Sequence, residues 1–190
     1  MIQSKDVSCV ILASGASSRF GQSKMRYELD QNVSILAKTI TIYQAIFDQV
    51  HVVVKHDDKA VIELAECQGA SCIKNIKSDL GLSQSIIAGV KGTSPSKALL
   101  IALGDMPYVS VETICSLAQR ASLTEIIVPR TGRGNGNPIV FGVHFHQQLL
   151  ALTGDMGAKP LLKRNASHIK FYDCQDQGIH VDIDRISDIL

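Results

Sequence analysis

The feature that most constrains this chain is a regular alternation. Short β-branched or continuously apolar runs take turns with longer segments of helical period. Residues 7–13 and 98–103 (ALLIAL) are apolar on both faces, as a strand buried between two layers must be. Residues 50–55 and 71–75 read as further strands. Between them, residues 33–47 place Ile35, Leu36, Thr39, Ile42, Tyr43 and Ile46 at three-to-four spacing, a helix face. Residues 58–67 and 83–90 are also helical in pattern, and a helix from about Ser110 has that hydroxyl as its N-cap. Such βαβ alternation predicts an α/β fold of three layers, α/β/α, around a mostly parallel sheet. Later in the chain, 125–128 and 138–141 are expected strands split by a glycine-rich loop, and 143–153 and 157–164 expected helices. Residues 169–172 and 180–183 are expected late strands, with a helical turn at 186–190.

Bulk properties narrow the function. The 190 residues, 45% hydrophobic and 19% charged, suit one globular domain spanning 1–190 with a sizeable core, and no repeat or linker divides it. A formal net charge of +1 offers no bulk attraction to nucleic acid or to an anionic membrane, so any phosphate affinity must be local. Five scattered cysteines form neither a zinc pattern nor a disulfide framework. His144 and His146 would face different sides of a helix, which argues against a histidine metal site. No signal peptide and no apolar run of membrane-spanning length is seen. A cytoplasmic monomer is the expectation, since no heptad pattern is present.

Three segments carry chemistry. The first follows the first strand directly: Leu12, Ala13, Ser14, Gly15, Ala16, Ser17, Ser18, Arg19, then Gly21 and Lys24. Small residues let backbone N–H groups approach a ligand closely, and two cations share the loop. At the carboxyl end of a parallel strand this composition suits a polyphosphate. A β–α connection with two solvated cations would look the same. The loop is neither a Walker A nor a G-x-G-x-x-G motif, because lysine does not directly follow the second glycine and the glycine spacing differs.

The second segment is Gly104-Asp105-Met106-Pro107. Asp105 ends a strand too continuous to lie at a sheet edge, so its carboxylate should project above the sheet, where it could hold Mg²⁺ through hard oxygen ligands or sit in an ordinary turn. The third is His180-Val181-Asp182-Ile183-Asp184. On a strand, two carboxylates at spacing two point the same way, so Asp182 and Asp184 could complete a metal site beside Asp105; Asp184 could equally cap the final turn.

In order along the chain, these segments resemble the MobA-like nucleotidyltransferases, molybdenum-cofactor enzymes of the Rossmann-like, glycosyltransferase-A-like nucleotide-diphospho-sugar transferase fold. Residues 12–24 match a loop of the form LAAGxSxRMGxxK. Asn75 and the segment Gly81-Leu82-Ser83-Gln84-Ser85-Ile86 resemble a nucleotide-contacting stretch, and residues 136–141, 154–159 and 182–184 continue the match. Within the family the resemblance favours the cytidylyltransferase branch. It implies CTP and Mg²⁺ as ligands and a phosphorylated pterin as acceptor, with a molybdoenzyme or its chaperone as a recipient. It further implies Arg19, Lys24 and Asp105 as catalytic residues, and residues 12–19, Lys24, Asn75, Gly81, Ser85 and Asp105 as the nucleotide site. Asn137, Pro138, Asp155 and Lys159 are implied to face the acceptor, and Asp105 with Asp184 or Asp182 to hold the metal. Three positions depart from the family pattern: Ser14 for alanine or glycine, Asn137 for histidine, and Lys159 for arginine, which loses a bidentate fork. A guanylyltransferase, a transferase using a sugar phosphate or methylerythritol phosphate, and a non-catalytic nucleotide-binding module are the alternatives.

Overall fold

The computed structural model describes residues 6–15, 23–30, 33–94 and 96–189. β1 (Val7–Leu12) is followed by a hairpin of β2 (Glu28–Asp30) and β3 (Val33–Ser34), then α1 (Ile35–Gln44). β4 (Val50–Lys55), α2 (Lys59–Cys67), β5 (Ser71–Asn75), α3 (Leu82–Gly92) and β6 (Ala98–Leu103) continue the alternation. α4 (Val111–Gln119) precedes β7 (Ile126–Thr131), β8 (Gly134–Asn135) and β9 (Ile139–Gly142). α5 (His146–Leu150), α6 (Lys159–Arg164) and β10 (Ile169–Asp173) close the layers.

The main sheet runs in the order β10-β7-β9-β6-β1-β4-β5, with β8 paired to β7. β1 lies parallel between β4 and β6, and β9 alone is antiparallel to both its neighbours. Period-two alternation along the buried strands feeds two cores. Cys9, Ile11, Val52 and Leu100 pack with α1, α2 and α4, whereas Val10, Leu12, Val53 and Leu99 pack with α3, α5 and α6. The three-layer α/β/α expectation therefore holds. Among the described residues, no helix is long and apolar enough to cross a membrane.

Local chemistry explains where boundaries moved. The helix expected over 33–47 starts at Ile35 because Ser34 turns out of the β2–β3 hairpin and accepts the Ala37 N–H at 3.2 Å, an N-cap. Ser110 caps α4 as its position suggests, accepting from Thr113 N at 3.1 Å. The expected helix at 143–153 is a 3-10 turn (Val143–Phe145) leading into the short α5, and α6 begins at Lys159, with Pro160 in its first turn where a missing N–H costs nothing. The strand expected over 180–183 does not form: Gln177–His180 is a 3-10 turn, and residues 181–184 run as irregular backbone.

Candidate active site

The site is assembled where β1 and β6 end side by side. Gly104 N–H donates to Leu12 O at 2.9 Å, and a Cβ at Gly104 would crowd Ala13, Leu12 O and Met25 Sδ at 3.1–3.2 Å. Glycine at 104 lets the two strand ends close together, and Thr39 Oγ1, buried in α1, reaches the Gly104 carbonyl at 3.0 Å. Asp105 thus stands above the centre of the sheet, at the carboxyl ends of parallel strands, where ligands bind in open α/β folds.

The C-terminal segment is laced onto the same place. Asp176 Oδ2 accepts from Ser110 N at 2.9 Å, and Asn137 N–H donates to Ile179 O at 3.0 Å. Thr131 Oγ1 and His180 Nε2 stand 2.7 Å apart. Ile183 N–H then donates to Asp105 O at 3.0 Å. The Ile183 side chain is fully buried against Ile35, with Tyr27, Leu29, Tyr108 and Ile189 around it. Asp188 Oδ2 accepts from the backbone N–H groups of Asp184 and Arg185 at 3.0 and 2.7 Å, pinning the turn.

This lacing brings two carboxylates to one cation. Lys24, opening the 3-10 turn Lys24–Arg26, places Nζ 2.8 Å from Asp105 Oδ2 and 2.9 Å from Asp184 Oδ1, with only 9% of its side chain exposed. Burial pulls the ammonium's pKa down, but the Asp105 carboxylate beside it and then Asp184 outweigh that, holding it above the ordinary lysine value. Asp182 is exposed and lines no part of the cavity. With no strand to align them, the two carboxylates do not point the same way, which corrects the spacing-two argument. The pair at this position is Asp105 and Asp184.

The cavity beside them measures about 800 Å³. Its floor carries a buried polar trio: Ser14 Oγ and Ser85 Oγ lie 2.6 Å apart, Asn75 Nδ2 donates to Ser85 Oγ at 3.3 Å and to Ser14 Oγ at 3.5 Å, and Asn75 Oδ1 accepts from Lys77 N at 2.9 Å. Its lip is made where Asp155 Oδ1 accepts the Leu82 N–H at 2.9 Å, capping α3. Gly81 sits there at φ +96°, and a Cβ would meet Asp155 Oδ1 at 2.9 Å.

Of the residues singled out from sequence, Leu12, Ser14, Gly15, Lys24, Gly81, Ser85, Asp105, Asp155 and Asp184 line this cavity. Ala13 is buried beside Gly104, and Asn75 lies behind the two serines. Asn137, Pro138 and Lys159 lie outside the lining: Asn137 is held to Ile179 O, Pro138 is buried, and Lys159 is exposed at the start of α6. Ala16, Ser17, Ser18 and Arg19 fall outside the described residues. Sequence reading missed Thr39, Asp188 and the rim residues Asp79 and Leu80; only the i+3 spacing from Arg185 to Asp188, a capping distance, could have signalled one of them.

Among the described residues no group of three or more His, Cys, Asp or Glu side chains could hold a metal by itself. The Asp105–Asp184 pair nonetheless fits a hard divalent cation, because its two oxygens already converge on one positive charge, that of Lys24. The described lining sets Asp79, Asp105, Asp155 and Asp184 against Lys24 alone. Such a wall accepts a polyphosphate only together with added positive charge.

Residues 9–169 match the MobA-like NTP transferase domain. The chain belongs to the MobA-like NTP transferase family. A relative from Paenarthrobacter nicotinovorans, nicotine blue oxidoreductase, is 25% identical over 192 residues, covering 95% of this chain and 93% of its own. Solved structures share the fold of this MobA-like domain. A homologue, from Mycobacterium sp. strain JC1, of the Mycobacterium tuberculosis protein Rv0371c superposes with a TM-score of 0.85 at 24% identity, covering 98% and 93% of the two chains. Rv0371c itself, in complex with manganese, gives 0.73 at 24%, covering 96% and 95%. The 4-diphosphocytidyl-2C-methyl-D-erythritol synthase of Anaerococcus prevotii gives 0.76 at 16%, covering 99% and 94%.

Proposed function

We propose that this chain, acting as one domain, transfers CMP from CTP to the terminal phosphate of molybdopterin or the molybdenum cofactor and releases pyrophosphate. The observation that carries the reading is the Lys24 ammonium clasped by Asp105 and Asp184 beside a cavity of about 800 Å³, at the carboxyl ends of the central strands. The acceptor phosphate is already an anion, so attack on the α-phosphorus needs no general base, and the described cavity lining contains no histidine. Catalysis then rests on positioning and charge neutralisation. Mg²⁺ held by Asp105 and Asp184 would supply Lewis-acid neutralisation of the phosphate oxygens. Lys24 stabilises charge at the α-phosphate, and Gly15 with residues 16–19, Arg19 among them, cradles the outer phosphates. Ser14 and Ser85 face the base and ribose, and Asn75 holds the two hydroxyls from behind. Asp155, whose carboxylate lines the cavity, borders the acceptor. The diphosphocytidyl product in the name of the Anaerococcus neighbour supports the choice of CTP.

The deciding assay is pyrophosphate release from CTP with purified molybdopterin, with GTP run in parallel and Asp105→Asn as control. Release that needs a divalent metal, prefers CTP and is lost in Asp105→Asn is expected. Turnover with GTP alone would replace the cytidylyl assignment by a guanylyl one, and no release with either nucleotide would sink the reading. The name of the Paenarthrobacter relative favours testing one other reading, an oxidoreductase. A change in the oxidation state of nicotine blue in the absence of CTP would establish it.

A further inference from the structure

Lys24 is the only cation among the described residues of the cavity lining, and it is among the most enclosed of that wall's charges. Its ammonium engages Asp105 Oδ2 and Asp184 Oδ1, the oxygens that converge on one point. A divalent cation directed at those oxygens would claim the same lone pairs. It would also lie within a few ångströms of a like charge, where repulsion is strong even at an effective protein dielectric of about 20. Ammonium and metal cannot both occupy the position.

We infer that Lys24 is a built-in competitor for its own metal site. It keeps the two carboxylates neutralised while the cavity holds no nucleotide, and so weakens their affinity for free divalent metal. It releases them when a nucleotide's phosphates offer the ammonium a new partner. Metal and nucleotide then enter together, and each raises the affinity for the other by the same factor. The same side chain that serves the α-phosphate thereby guards the carboxylate pair against metal arriving alone. The inference rests on the proposed assignment of Asp105 and Asp184 as the metal's residues.

The test uses Mn²⁺ as probe, with free Mn²⁺ counted by electron paramagnetic resonance over the full chain and no nucleotide or acceptor present. Lys24→Met, which keeps the apolar stem and removes the charge, should bind Mn²⁺ about ten-fold or more tighter than wild type, within the usual range of coupling between two sites. Adding Asp105→Asn to Lys24→Met should return binding to the weak level and so locate the ion. Equal or weaker binding by Lys24→Met overturns the inference, as does tight binding that survives the second substitution. Circular dichroism checks the fold, and Lys24→Gln, neutral yet able to donate to one carboxylate, is read by the same criteria should Lys24→Met not fold. The titration involves no turnover. A chain that releases pyrophosphate can fail it, and one that does not can pass, so the two proposals fall separately.

Discussion

Ile183 donates its backbone N–H to the carbonyl oxygen of Asp105 at 3.0 Å, tying the C-terminal segment to the strand end that opens the site. The next residue, Asp184, is thereby delivered to Lys24, while Asp182 on the other side of Ile183 faces solvent.

This asymmetry separates two otherwise similar carboxylates. Asp184→Asn should lower kcat of pyrophosphate release by about 10²-fold, the scale of losing one preorganised charge contact, and raise the metal concentration needed. Asp182→Asn should leave both near wild type. Equal losses in the two variants would refute the assignment of Asp184.

Lys24→Ala should act on the transition state. With the ammonium gone, kcat should fall about 10²–10³-fold, well beyond any change in KM for CTP. A raised KM at unchanged kcat would show uniform binding instead, and the catalytic role would be withdrawn.

Ser14 closes the cavity floor with its hydroxyl 2.6 Å from that of Ser85. The wild type is expected to prefer CTP. Ser14→Gly deepens the floor, so the CTP/GTP ratio of kcat/KM should narrow, within the roughly 10–200-fold range that pocket size effects reach. A ratio that stays the same would remove Ser14 from base choice.

Gly81 holds a backbone conformation that L side chains rarely adopt, and a Cβ there would press on Asp155 and Gly154 O. Gly81→Ala should cost about 1–3 kcal/mol and displace the lip, seen as a lower urea midpoint and weaker nucleotide binding by calorimetry. An unchanged midpoint would show that the lip gives way freely.

His146 has an Nε2 buried without a partner, and burial holds its pKa below the ordinary 6.5. The unfolded chain therefore binds more protons near that pH, so stability is present above 6.5 and is lost as pH falls through the folded value. His146→Phe should make the urea midpoint fall less between about pH 7.5 and about pH 5.5. His51, shifted the same way by burial, keeps part of the acid sensitivity. An identical slope in the variant would contradict this account.

Much of the architecture was determined by local sequence. A strand apolar on both faces, such as 98–103, must lie inside a sheet covered on two sides, and Ser110 capped α4 because its hydroxyl reaches only its own helix. For the same reason Asp105, at the end of such a strand, could be placed above the sheet before any coordinates. The C-terminal half of the site was different. Residues 180–183 read as a strand by pattern, yet β10 already takes the sheet edge beside β7, and the tail instead packs Ile183 against Ile35 and bonds to Asp105. Asp184 meets Asp105 and Lys24 across 79 and 160 positions of chain. A meeting of that kind depends on burial and backbone hydrogen bonds between distant segments, which local periodicity does not encode, so only the tertiary structure decided which aspartate joins the site.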